Sequence, residues 1–399
     1  MSKGAKYILI AFIAFAVISY FYTVFTGNYN GDHLGKSTTL NQWELFVNLL
    51  YNILPYIVLF GLYKFSKRTK SEYKISVPIK LLGQFIFLIA IFQITVTALF
   101  GVGRMGHAIY EAPAFFKPFI QISNRIDLIF GLFVYGLFVD TKNKTQFILW
   151  GLILVLAIFK NSLGVFMFFA FYLVLKYHDY VFSFIKKRWL LTIFFLLLSP
   201  IIISILYEIR TNLRNEDNLT IDFRKMQVDS FSEVIFGKFI ARLSSFSNSA
   251  FIIEKGKKIE QLARGNFTTF QYTKEALIPL YGKIIDSKIT YSSIQNIAAG
   301  GSKYTSLMNG TYGSLLIGSY VSRIVFFVNL FTLLLLIIFT FFLSNFIRHD
   351  KIKEILFFFF CFNVLGGVSA HFFTTLFSTV LYMFLFLIFN SFKNLLNNR

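Results

Sequence analysis

Runs of about twenty residues with no charge recur along this chain, the clearest being WLLTIFFLLLSPIIISIL, Trp189 to Leu206. At about 1.5 Å per helical residue, such a run is long enough to cross a hydrocarbon layer of roughly 30 Å. Backbone amides in that layer have no water to bond, so only helices and closed barrels can span it. Here the runs are joined by short charged connections rather than by turns between alternating strands, which selects helices. The expected spans are 7-25, 43-63, 77-99, 119-139, 146-159, 164-177, 189-207, 323-345, 355-370 and 373-390.

Composition agrees with this reading. Of 399 residues, 56% are hydrophobic, 15% are charged and 54 are Phe, far more apolar than the core of a soluble domain requires. The net charge of +20 would suggest nucleic acid in a soluble protein. Here most Lys and Arg sit in short connections, where they act as orientation signals, so nucleic acid is not an expected partner. Cys361 is the only cysteine and lies in an apolar run, which excludes a disulfide framework and a thiolate metal cluster.

The expected fold is therefore all-α: a polytopic bundle of about ten spans with one large loop. Residues 1-207 form an N-terminal set of spans, 208-322 the loop, and 323-399 the C-terminal spans. KFSKRTKSEYK, TKNK, KYHDYVFSFIKKR, RHDKIK, Lys393 and Arg399 fall on one side, which the positive-inside rule makes cytoplasmic, with both termini there. The long loop then lies outside, since long translocated segments escape that rule. The first run follows Lys3 and Lys6 but has no small-x-small cleavage site, so it reads as an uncleaved span.

Three local patterns stand out. FILWGLILVLAIF reaches only about 20 Å as a helix, so the tip KNSLG after it can be sunk below the outer surface. Lys160 there either faces a wet cavity or anionic partner, or snorkels to the interface. In the loop, Phe231, Ile235, Phe239, Leu243, Phe246 and Ala250 recur at helical spacing beside a stripe of Lys238, Arg242, Ser245 and Ser249, which predicts an amphipathic helix. TSLMNGTYGSLLIGSYVSR reads as a broken or re-entrant segment, which needs protein or water around its backbone.

No G-x-x-x-x-G-K-[ST], H-E-x-x-H, G-x-S-x-G or Asp-x-Asp occurs. A bound diphosphate would therefore be neutralised by guanidinium and ammonium groups, with no metal and no cofactor. The candidate cations are Arg104, Arg125, Lys160, Arg210, Arg214, Arg242, Arg264 and Arg323. In YEIRTNLR, Arg210 and Arg214 share a face if the preceding helix continues past the membrane. Singly, each could equally anchor a span to lipid phosphates. His107, His371, Glu208, Asp222 and Glu275 are the candidate bases.

The Phe-rich spans and the late loop opened by YEIRTNLR, with Arg242 and Arg264 further along it, resemble the Wzy-type polymerases of O-antigen and capsule repeat units, integral membrane glycosyltransferases of the GT-C class. The resemblance is one of layout. It implies transfer of a growing glycan from undecaprenyl diphosphate to a sugar hydroxyl on another lipid-linked repeat unit, at the periplasmic face of the bacterial inner membrane. Arg210 and Arg214 would neutralise the leaving diphosphate and a His or carboxylate, His371 among them, would take the acceptor proton. Arg125, Lys160, Arg242, Arg264 and Arg323 would bind substrate. The partners implied are the lipid-linked glycans, the bilayer and a chain-length regulator. An O-antigen ligase, a membrane acyltransferase using His371, and a lipid-linked oligosaccharide flippase are the alternatives.

Overall fold

The computed structural model describes residues 2–69, 73–103, 112–160, 162, 164–194, 197–198, 201–202, 205, 240, 243–281, 289–301 and 309–397. Among the described residues, the helices delimited before the long polar segment are α1 (Lys3–Thr26), α2 (Gln42–Arg68), α3 (Ile79–Phe100), α4 (Lys117–Asn124), α5 (Leu128–Phe138), α6 (Thr145–Phe159) and α7 (Gly164–Lys187). The described part of that segment holds α8 (Phe246–Glu254), α9 (Gly256–Asn266), α10 (Gln271–Tyr281), α11 (Tyr291–Ala298) and α12 (Gly310–Val321). The chain closes with α13 (Arg323–Ser344), α14 (Lys351–Gly366) and α15 (Ser369–Asn397). Among the described residues there is no strand, only the isolated bridges Asn28 to Ser37 and Ile75 to Ile347.

Six helices, α1, α2, α3, α7, α13 and α15, are long and apolar enough to cross a membrane, and α5 and α6 are shorter apolar helices. Residues described between 189 and 205, inside the seventh expected span, are helical. Phe25, Trp43, Leu88, Leu99 and Phe331 are exposed on the outside, as residues that face lipid must be. The opposite pattern marks α14. From Ile352 to Gly366 it is buried at almost every position, including the run Phe357 to Phe360. It lies at the centre, with Phe133 stacked on Phe358 at 4.9 Å and Phe168 on Phe359 at 5.8 Å.

One end of the bundle is tied across several helices by lysines and a shared carboxylate. The Ser2 amide donates to Glu354 at 2.7 Å, and Lys67 lies 3.7 Å from the same carboxylate. Lys353 donates to the Ser66 carbonyl at 2.6 Å and Lys351 to the Leu137 carbonyl at 2.8 Å. These ammonium groups stabilise carbonyls at the carboxyl ends of α2 and α5, where the helix dipole is negative.

Two expectations change in form. The fourth expected span, 119-139, is two helices rather than one. It breaks at Arg125–Ile126–Asp127, where the Arg125 amide turns back to the Ile122 carbonyl and the Asp127 side chain caps α5 by accepting from the Phe130 amide at 3.0 Å. The amphipathic helix expected through Phe231 to Ala250 starts at Phe246 among the described residues, and Phe246 to Ile252 are all buried. Its serines are not solvated. Ser245 donates to Asn52 at 3.1 Å, and Ser249 donates to Asn48 at 2.8 Å and accepts from Asn52 at 2.7 Å.

Those partners place the segment by depth. Asn48 and Asn52 lie about 9 and 15 Å along α2 from its start at Gln42. The start of α8 is therefore set down among the spans. The described part of the segment expected to be broken or re-entrant is a helix, α12, with Gly310, Thr311, Gly313, Ser314, Ile317 and Gly318 buried, broken from α13 by one extended residue, Ser322. Its first glycine lies against the last turn of α14: a Cβ on Gly367 would strike the Gly310 carbonyl.

Gly27 and Gly367 both end helices at φ +67, but a Cβ on Gly27 meets nothing within 4 Å. Gly27→Ala should cost only the left-handed strain, about 1–2 kcal/mol. Gly367→Ala adds overpacking of about 1–3 kcal/mol. The unfolding midpoints of the two variants in one detergent test this, and equal losses would refute a tight α12–α14 contact.

Candidate functional site

The end of α6, from FILWGLILVLAIF, packs against the side of α3. Lys160 follows α6 directly, and its ammonium donates to Gln93 Oε1 at 2.8 Å. Gln93 is buried in α3, about 10 Å before that helix ends at Phe100. Its amide nitrogen donates to the Ser123 carbonyl at 2.7 Å. Lys160, Gln93 and Ser123 thus form a chain that ends two residues from Arg125, at the break between α4 and α5. Lys160 is thus engaged with a buried side chain of α3.

The other side of the break faces α15. Ser378 donates to Asp127 Oδ2 at 3.4 Å, and the Tyr382 hydroxyl donates to the Asp127 carbonyl at 2.9 Å. Tyr382 reaches that carbonyl across residue 131, where a Cβ would collide with its hydroxyl, so glycine is required there. Ser378 is about 13 Å along α15 from Ser369, a depth close to that of Gln93, Asn48 and Asn52. His371 precedes Ser378 by seven residues, two helical turns on the same face. It is exposed, and its ring lies over Gly366, where a Cβ would be 3.2 Å from Nδ1.

The sequence candidates separate into groups. Arg125 and Lys160 come together through Gln93 and Ser123, and Arg125 is exposed with no side-chain partner among the described residues. Arg264 is engaged elsewhere: it pairs with Glu260 at 2.8 Å and donates to the Tyr320 carbonyl at 3.1 Å, near the end of α12. Arg323, exposed, begins α13 three residues after Tyr320. Arg104, Arg210, Arg214 and Arg242 lie outside the described residues, as do His107, Glu208 and Asp222.

Asp127 is the residue that sequence reasoning passed over. Its signal was the pairing Arg-Ile-Asp inside an expected span, where two charges two residues apart cannot share one apolar helix face. The arrangement offers a free guanidinium, an ammonium bonded to Gln93, a half-buried carboxylate with one oxygen lightly engaged, and an imidazole two turns away. That set can neutralise an anionic leaving group and accept a proton. Among the described residues no cluster of His, Cys, Asp and Glu could hold a metal ion.

Glu275, another candidate base, is a fastener instead. It is buried on α10, accepts from Gln271 at 2.9 Å, and accepts from the Tyr291 amide at 3.2 and 3.3 Å, joining α10 to the first turn of α11. Burial pushes its carboxyl from 4.5 up to about 8, against the pull of both hydrogen bonds. The folded state thus favours the protonated form, a contribution that is full below pH 4.5 and is lost as pH rises through 8. The loss at full ionisation is on the order of 5 kcal/mol. Glu275→Gln keeps the acceptor oxygen without the charge, so its unfolding midpoint should fall less than wild type between pH 6 and pH 9. Parallel pH profiles would refute this.

No known protein family matches the chain, and searches of curated proteins and of solved structures returned no significant match.

Proposed function

We propose that this membrane protein is a metal-independent glycosyltransferase that polymerises oligosaccharide repeat units carried on undecaprenyl diphosphate. The observation that carries this reading is the helix break at Arg125–Asp127, where an arginine with no side-chain partner among the described residues lies two positions from a carboxylate and is linked through Ser123 and Gln93 to Lys160. A lipid-anchored diphosphate enters a bundle from the membrane side, and a layer about 10–15 Å below the helix ends lies within reach of its headgroup.

In this mechanism the acceptor hydroxyl oxygen attacks the anomeric carbon of the donor glycan. The bond from that carbon to the diphosphate oxygen breaks, and its electron pair leaves with the lipid diphosphate. Arg125 and Lys160 offset the charge that develops on the leaving group, an effect strengthened by their removal from bulk water. Asp127 takes the acceptor proton, and His371 lies on the same path toward the opposite end. Arg210 and Arg214 supply further diphosphate contacts by the resemblance alone. The basic end is cytoplasmic and the reaction faces the periplasm of a bacterial inner membrane, as the distribution of Lys and Arg supports.

Loss of one charge-assisted contact to the leaving group should slow transfer on the order of a hundredfold, about 3 kcal/mol. Arg125→Ala and Lys160→Met should therefore yield short or single repeat units at matched protein level, and Arg125→Lys an intermediate length. Asp127→Asn retains the helix cap, so it should be inactive with an unchanged unfolding midpoint. The readout is the chain-length distribution of lipid-linked glycan made by membranes holding each variant. Full-length polymer from both Arg125→Ala and Lys160→Met would refute the assignment of this layer.

A further inference from the structure

A second site lies at the other end of the bundle, away from the break between α4 and α5. A cleft of about 870 Å³ opens on the membrane-facing side between α3 and α6, with Tyr135 of α5 among its walls. Along α3 it runs from Ile79 to Leu88, about 14 Å, close to the hydrocarbon depth of a single leaflet. Phe87, Leu88 and Ile148 line it and remain exposed, so no element of the bundle covers them. Gly83 lets the Tyr135 ring set the depth of the cleft, since a Cβ there would lie 2.6 Å from that ring.

The mouth of this cleft is cationic. Lys80 lines it, and Asn143, which also lines it, is flanked by Lys142 and Lys144. All three lysines are exposed, and among the described residues none of their ammonium groups has a hydrogen-bond or ion-pair partner. One lysine in the wall, two more flanking the lining Asn143, and an exposed apolar wall one leaflet deep match one amphiphile: an anionic head on an acyl chain. Basic pockets between membrane helices at the positively charged face take such lipids.

We propose that this cleft binds one anionic diacyl phospholipid of the surrounding leaflet, its phosphate against Lys80, Lys142 and Lys144 and an acyl chain along Phe87, Leu88 and Ile148. The site is independent of the glycan-transfer reading and persists if that reading fails.

Native mass spectrometry of the full chain in detergent, titrated with phosphatidylglycerol or with phosphatidylcholine of the same acyl chains, tests it. Wild type should retain one phosphatidylglycerol in preference. Each Lys→Gln change should reduce that preference about fivefold, and the triple variant on the order of a hundredfold, by the attraction of one basic residue to an anionic leaflet. Ile148→Trp, at an exposed wall position, should lower retention of both lipids by filling the slot. Inorganic phosphate should not compete, because it lacks the chain. Equal retention of the two lipids, a triple variant with undiminished preference, or displacement by inorganic phosphate would each overturn the proposal.

Discussion

Every irregular stretch of backbone set inside an apolar bundle needs protein partners for its amides and carbonyls, because lipid offers none. The break between α4 and α5 meets that demand from three directions: Gln93 takes the Ser123 carbonyl, Tyr382 takes the Asp127 carbonyl, and the Asp127 side chain takes the Phe130 amide. Gln93 of α3 and Ser378 and Tyr382 of α15 all serve this one interruption. Without it the Gln93 amide nitrogen and the Tyr382 hydroxyl would lose these partners, and with it they fix how far α3, α5 and α15 slide along one another.

A second set of polar contacts does the same for the inserted segment. Asn48, Asn52, Ser245 and Ser249 bond one another in a closed group, and the Asn48 amide also reaches the Phe246 carbonyl at 3.1 Å. Further along, Tyr272 and Ser314 both donate to the Gly367 carbonyl, at 2.8 and 2.9 Å. Apolar helices in lipid gain little from burying one another, so small residues that allow close approach and hydrogen bonds that specify register carry much of the assembly. The segment between the two groups of spans is therefore a component of the bundle, joined to α2 at one point and to α14 at another.

The long spans were legible because hydropathy needs only composition over some twenty residues. The shortness of α6 was legible for a related reason, since the apolar run ends after some thirteen residues. The break at Arg125 was hidden, because SNRID sits between apolar runs whose summed length suits one span and the capping role of Asp127 emerges only in three dimensions. Ser245 and Ser249 misled for a different reason: helical spacing identifies a polar stripe but not whether water or another helix meets it. Asn48 and Asn52 on α2 were the missing half of that pattern, and nothing in the order of residues joins them to positions some two hundred residues later.

The central position of α14 sets the order in which this molecule can be completed. α1, α2, α5, α12, α13 and α15 all pack on a helix that starts at Lys351, so a ribosome has made nearly nine-tenths of the 399 residues before that helix exists. Until then the earlier spans sit inserted in the membrane with the middle of their bundle absent, and Phe133, Phe168 and Tyr63 have lipid where their ring partners will be. Biogenesis is thus divided into an insertion stage, fixed span by span, and a closing stage that waits for one late and unusually aromatic helix. A chain interrupted before Lys351 would be correctly threaded and still lack the axis around which the threaded helices gather.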